Sequence, residues 1–205
     1  MFLEIFGVAF GFLYLFLEIK KLKGMWLVGV LMAAVYAVVY WQQEVYATMG
    51  FQIYYLLVSV YGFIQWKRDE SVAASESFRY DNENETGAEK IEGNIVYRKL
   101  SGRVLLLSIL VYAFATAFMM LVLNKFTADP MPFADSSITV VSAIATFWLS
   151  KSYREQWLAW LMVNSLTVFM CVKIGLYPTA VLYFVNAVAS VYGFVHWGKK
   201  GIRIE

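Results

Sequence analysis

The sequence SVYGF at residues 59–63 occurs again at residues 190–194, and a tryptophan, Trp66 or Trp197, follows each copy three residues later. Each copy lies near the end of a long apolar run. The offset of 131 residues that aligns the copies also aligns five further identical pairs without a gap. These are Phe16 with Phe147, Lys20 with Lys151, Trp26 with Trp157, Tyr46 with Tyr177, and Thr48 with Thr179. Matches in a single register indicate an internal duplication.

The composition around this repeat is that of a membrane protein. Of the 205 residues, 60% are hydrophobic and 16% are charged, against about 45–50% apolar and roughly 25% charged residues in soluble domains. A soluble fold of this size has too much surface to cover with so few polar residues. The single Cys171 and the single His196 also argue against a disulfide framework or a multi-histidine metal site, so we expect no metal and no cofactor.

Seven apolar runs approach the roughly 20 residues that a helix needs to cross a bilayer. They are residues 2–19, 25–41, 46–66, 104–123, 133–150, 157–172 and 176–197. We therefore predict an all-α membrane protein with seven transmembrane helices, in which two three-helix repeats are joined by a linker helix. Three spans leave the chain on the opposite side of the membrane, and the linker helix returns it to the side where the first repeat began. The second repeat then crosses in the same direction as the first, so the repeats are expected to be parallel, as in one class of transporters.

This plan predicts four segments. The first repeat covers residues 1–68, and a polar cytoplasmic linker covers residues 69–103. The linker contains an acidic, Asn-rich stretch at residues 81–92 that is too polar to bury, which favours a flexible segment. The linker helix at residues 104–123 and the second repeat at residues 124–205 follow.

The basic residues predict the orientation in the membrane. Of the 17 lysines and arginines, all except Lys125 and Lys173 lie in alternate loops or at the C-terminus. Because Lys and Arg collect on the cytoplasmic side, we expect the N-terminus outside and the C-terminus in the cytoplasm.

Polar and aromatic side chains within the spans are candidates for a binding site, because buried polar groups are costly in lipid unless they are paired. Trp160 and Asn164 are four residues apart and project from one face of the sixth span. An indole can stack on a cationic aromatic ring, and an amide can bond a hydroxyl or carboxamide group. Helix packing is the alternative role for both residues.

The duplication predicts a second set of candidates. Three polar residues share one face of the third span, and the offset maps them onto three polar residues of the seventh. The pairs are Gln52 with Tyr183, Tyr55 with Asn186, and Ser59 with Ser190. Since the solute path of such transporters lies between the repeats, we expect these two faces to confront each other across it.

Several motifs resemble a known family. The 3+1+3 plan resembles the SWEET sugar transporters, and the residues resemble more closely the PnuC family of bacterial vitamin transporters. The similar motifs are PFADS at residues 132–136, the basic turn at 151–154, WLAW at 157–160 followed by Asn164, GLY at 175–177, and the two YGFxxW endings. In that family the WxxxN pattern, here Trp160 and Asn164, is associated with binding nicotinamide riboside.

The resemblance implies a function and partners that composition alone does not. It implies facilitated diffusion of nicotinamide riboside across a bacterial inner membrane, a homotrimer, and trapping of the vitamin by a cytoplasmic kinase. Relatives that carry thiamine leave thiamine as an alternative substrate. No nucleic-acid partner is expected.

A receptor and an enzyme are the competing classes. Seven spans with an outer N-terminus resemble a signalling receptor, but such receptors lack a three-span repeat. An enzyme needs a reactive cluster, and no acid lies near the middle of any predicted span. The absence of mid-span ionisable residues and of an ATP-binding GxxxxGK[ST] motif favours a passive transporter, without catalytic residues.

Overall fold

A computed structural model describes residues 2–42, 46–83, 95–126, 131–173 and 175–204. Within these residues the chain forms seven helices and two short strands. The helices are α1 (Phe2–Ile19), α2 (Gly24–Gln42), α3 (Tyr46–Glu83), α4 (Gly102–Phe126), α5 (Pro132–Ser150), α6 (Gln156–Lys173) and α7 (Tyr177–Lys200). The strands are β1 (Val96–Tyr97) and β2 (Ile202–Arg203). The seven-helix prediction is confirmed, with bounds within about three residues except at the end of α3.

The helices present the apolar surface that a bilayer requires. Among the described residues, three helical segments are long and apolar enough to cross a membrane: Gly102–Phe126, Pro132–Ser150 and Thr179–Lys200. In α4, Thr116 is the one buried residue, and Phe114 is 80% exposed. A helix so apolar on its outer faces is stable where lipid solvates it.

The chain divides into two compact units. The first contains residues 1–97, 150–152 and 199–205, and the second contains residues 98–149 and 153–198. The first unit therefore includes α1, α2 and α3, together with the turn after α5 and the C-terminal strand. The second includes α4, most of α5, α6 and most of α7.

In the first unit a tryptophan packs directly on a glycine. A methyl group on Gly62 of α3 would lie 2.5 Å from the ring of Trp26 on α2, so no larger residue fits there without a shift. Trp26 also meets Trp66 edge to face, with ring centroids 5.2 Å apart. Small residues of this kind let neighbouring membrane helices approach closely.

The second unit contains the same contact between the repeat-equivalent residues. A methyl group on Gly193 of α7 would lie 2.6 Å from the ring of Trp157 on α6. Trp157 meets Trp197 edge to face at 5.7 Å. The SVYGF blocks and their tryptophans thus make equivalent helix contacts in both units, as the duplication predicts. The parallel arrangement of the repeats stays a prediction.

A buried carboxylate binds side chains from separate segments of the first unit. Asp69 of α3 is 1% exposed. It accepts hydrogen bonds from Ser152 Oγ at 2.6 Å and Gln65 Nε2 at 3.2 Å, and it lies 3.4 Å from Lys21 Nζ. Lys21 Nζ also donates to the carbonyl of Val96 in β1. These donors offset the cost of removing the carboxylate from water.

The two turn residues at Asp69 occupy equivalent positions in the repeat. Lys21 follows α1 and Ser152 follows α5, and the offset of 131 residues aligns them. Both adopt the left-handed backbone conformation, with φ of 51° and 60°. That conformation is uncommon outside glycine, so the shared geometry reflects the same tight turn in each copy. Asp69 holds both turns against α3.

The region predicted as a flexible linker is partly ordered. Residues 67–83 continue α3, which places Asp69 and Glu70 on a helix. Val96 and Tyr97 then form a parallel pair with Ile202 and Arg203. Two-residue strands carry no periodic pattern, and their partners are distant in sequence, so the pairing was not predicted. Most of the acidic stretch at residues 81–92 lies outside the described residues.

Replacing Asp69 with Asn tests the importance of this cluster. We expect Asp69→Asn to lower the free energy of unfolding by roughly 3 kcal/mol, because the substitution removes a buried negative charge that lies beside Lys21. The matched control is Glu70→Gln, which breaks the exposed ion pair with Lys23 and should cost less than about 1 kcal/mol. Thermal unfolding of the purified variants in detergent measures both. Equal effects would contradict a structural role specific to Asp69.

Candidate functional site

Asn164 and Trp160 lie one turn apart on α6, as predicted, and their environments differ. Asn164 is 6% exposed, and its Nδ2 donates to Ser190 Oγ of α7 at 3.4 Å. Ser190 Oγ in turn donates to the backbone carbonyl of Asn186 at 2.8 Å. The structure therefore brings two predicted polar side chains, Asn164 of α6 and Ser190 of α7, together, and Asn186 takes part only through its backbone carbonyl.

The indole N–H of Trp160 is a buried donor without a partner. Trp160 itself is half-buried, and its Nε1 makes no hydrogen bond to any residue that the structure describes. Buried donors in proteins are almost always satisfied, so a donor of this kind is available to a ligand or to a water molecule. Trp160 thus offers both a π face and a hydrogen-bond donor.

A residue that the sequence interpretation missed extends the same helix face. Gln156 begins α6, four residues before Trp160 and eight before Asn164. Its side chain is fully buried, and neither amide atom has a hydrogen-bond partner among the described residues. We call Gln156, Trp160 and Asn164 the α6 polar face. Its four-residue spacing from Trp160 places it on the same helix face, but that spacing does not show in the sequence that the side chain is buried.

The remaining candidates lie on α3 and α7. Gln52 and Tyr55 of α3 are half-buried in the first unit, and the Tyr55 ring meets Tyr54 edge to face at 5.4 Å. Tyr183 and Asn186 of α7 are half-buried in the second unit. Partial burial leaves each side chain able to contact a solute. That the α3 and α7 faces confront each other stays a prediction.

The α6 polar face carries no formal charge. In α6 the only ionisable residues are Cys171 and Lys173, at its C-terminal end, and α7 between Tyr183 and Ser190 has no acidic or basic residue. No group of three or more His, Cys, Asp and Glu residues able to hold a metal occurs among the described residues. An arrangement of π surface, amides and hydroxyls is suited to recognising a polar or cationic solute without an ion pair.

A seven-helix chain that crosses the bilayer, repeats a three-helix unit and carries an uncharged polar face belongs to the class of small-solute membrane transporters. A sequence model of the nicotinamide mononucleotide transporter family matches residues 1–199. The chain therefore belongs to that family, and the resemblance to the PnuC proteins is confirmed.

Relatives and a solved structure agree with this assignment. The nicotinamide riboside transporter PnuC of Escherichia coli (strain K12) is 21% identical over 210 residues, covering 95% of this chain and 84% of the relative. The protein of the same description from Neisseria mucosa is 25% identical over 181 residues, covering 85% of this chain and 63% of the relative. A crystal structure of the vitamin B3 transporter PnuC is 22% identical, with a TM-score of 0.63, and covers 94% of this chain and 79% of that one. The structural likeness confirms the fold.

Proposed function

We propose that this chain transports nicotinamide riboside through a site built around Trp160 and Asn164. The observation that carries the proposal is the unpartnered indole N–H of Trp160, one helical turn from a buried amide. Relatives that match most of the chain are nicotinamide riboside transporters by name, which supports the choice of solute.

The chemistry of the two side chains fits this solute. Nicotinamide riboside carries a cationic pyridinium ring, a carboxamide and ribosyl hydroxyls. The Trp160 indole stacks on the pyridinium, where the ring quadrupole attracts the positive charge. The Asn164 amide hydrogen-bonds the carboxamide or a hydroxyl, exchanging its weak 3.4 Å contact with Ser190 for a ligand bond. Tyr183 and Asn186 of α7 are further solute contacts in this proposal, and Gln52 and Tyr55 of α3 stay predicted solute contacts of the first repeat.

The transport proposed here is facilitated diffusion. Coupling to protons or sodium usually needs an ionisable residue deep in the membrane, and the middle of the α6 polar face has none. Net uptake then depends on phosphorylation of the vitamin by a cytoplasmic kinase. The family resemblance also supports a homotrimer in the bacterial inner membrane, and the basic loops support an outer N-terminus and a cytoplasmic C-terminus.

Substitutions on α6 test the site. We expect Trp160→Ala and Asn164→Leu each to weaken nicotinamide riboside binding at least about tenfold, equivalent to roughly 1.4 kcal/mol, because the first removes the stacking surface and the second the amide. Calorimetric titration of the purified variants measures the affinity. Phe169→Ala is the matched control, since this exposed residue of α6 should leave the affinity unchanged. Wild-type affinity in both site variants would assign these residues to packing.

Ion gradients test the mode of transport. We expect proteoliposomes containing the protein to exchange labelled nicotinamide riboside at the same rate with and without a proton or sodium gradient. Because the solute is cationic, the membrane voltage must be clamped, since a passive carrier of a cation also responds to voltage. Accumulation above equilibrium at zero voltage, driven by either gradient, would contradict facilitated diffusion.

A further inference from the structure

The duplication supplies an internal comparison for the α6 polar face. The offset of 131 residues gives each position of α6 a counterpart on α2. Trp157, which packs on glycine, corresponds to Trp26, which does the same. The three residues of the α6 polar face correspond instead to apolar or small residues. The pairs are Gln156 with Met25, Trp160 with Gly29, and Asn164 with Ala33.

Gln156 and Met25 are alike in burial and differ in chemistry. Each lies in the first turn of its helix, and each has 0% of its surface exposed. Methionine and glutamine side chains have similar length and volume, so the same buried position accepts either shape. The packing of a three-helix unit therefore does not require an amide at this position.

The unpartnered amide of Gln156 thus needs an explanation outside the shared fold. Burying an amide without hydrogen bonds is unfavourable, since both its donor and its acceptor lose water. Trp157 Nε1 also has no hydrogen-bond partner within the described part of the chain, but neither has Trp26 Nε1 in the other copy, so those two indoles belong to the shared packing. Gln156 and Trp160 differ from the two indoles in this respect. Their counterparts in the first copy, Met25 and Gly29, have no side-chain N–H or C=O group, so these unpartnered groups occur only in the second copy.

We propose that Gln156 is a solute-contacting residue that lowers the barrier to passage along α6 between Trp160 and the α5–α6 turn. Its amide donates from Nε2 and accepts at Oε1, which complements a sugar hydroxyl that both donates and accepts. Gln156 is one helical turn from Trp160 and fully buried, so a solute of ribosyl size that moves from Trp160 towards that turn contacts the amide only once the surrounding side chains have moved aside. This role rests on the proposed function, because it requires a hydroxyl-bearing solute to move along α6.

The test replaces Gln156 with the residue that the other copy uses. In proteoliposomes, we expect Gln156→Met to slow exchange of labelled nicotinamide riboside at least about fivefold relative to the wild type. Its equilibrium affinity should stay within about twofold, because Trp160 and Asn164 are unchanged, and its melting temperature should stay that of the wild type. Gln156→Asn, which keeps a shorter amide, should recover part of the exchange rate.

The alternative is that the Gln156 amide binds a structural water and serves stability alone. In that case Gln156→Met lowers the melting temperature or fails to fold, and either result overturns the proposal. Wild-type exchange by a stable Gln156→Met protein overturns it as well, while leaving the proposed function intact. No exchange by the wild type itself would overturn both.

Discussion

The contact between an indole ring and a glycine determines how neighbouring helices pack in each unit. Trp26 lies on Gly62 and Trp157 on Gly193, at distances that leave no room for a β-carbon. Lipid removes most of the hydrophobic drive between membrane helices, so close van der Waals packing at small residues provides much of their association. In the second unit the same helix pair also brings Asn164 of α6 to Ser190 of α7. The geometry of the α6 polar face therefore depends on this contact.

Comparison of the two copies distinguishes residues that serve packing from residues that are candidates for binding. Both retain the SVYGF block, its tryptophans and a left-handed turn residue, Lys21 or Ser152, bound to Asp69. The copies differ where α6 carries an amide, an indole and a second amide. In the first copy Gly29 approaches the hydroxyl of Ser59 instead, where a methyl group would lie 2.9 Å from its oxygen. The SVYGF blocks, their tryptophans and the two turns thus support packing, and the differing residues of the α6 polar face are available for a solute.

The sequence predicted the helices well because length and apolar composition are local properties. It did not predict that α3 continues to Glu83, because the residues after Trp66 are polar and contain no apolar run. The burial of Asp69 on this part of α3 depends on contacts with distant segments, which have no local signal. Pairing of β1 with β2 joins residues about a hundred positions apart and leaves no local signal. Trp160 and Asn164 were predicted as binding residues from spacing and family resemblance. Gln156 was missed because a polar residue at the start of a span is ordinarily solvated, and only its complete burial distinguishes it.

Two tryptophans of α6, three residues apart, give the most direct test of the separation between packing and binding. The measurement is the melting temperature of Trp157→Phe and Trp160→Phe with and without saturating nicotinamide riboside. Trp157→Phe should melt several degrees below the wild type, because it leaves a cavity against Gly193, yet keep the ligand-induced rise. Trp160→Phe should melt at the wild-type temperature without ligand and lose most of that rise. The reverse pattern, with the rise lost in Trp157→Phe and kept in Trp160→Phe, would contradict the account.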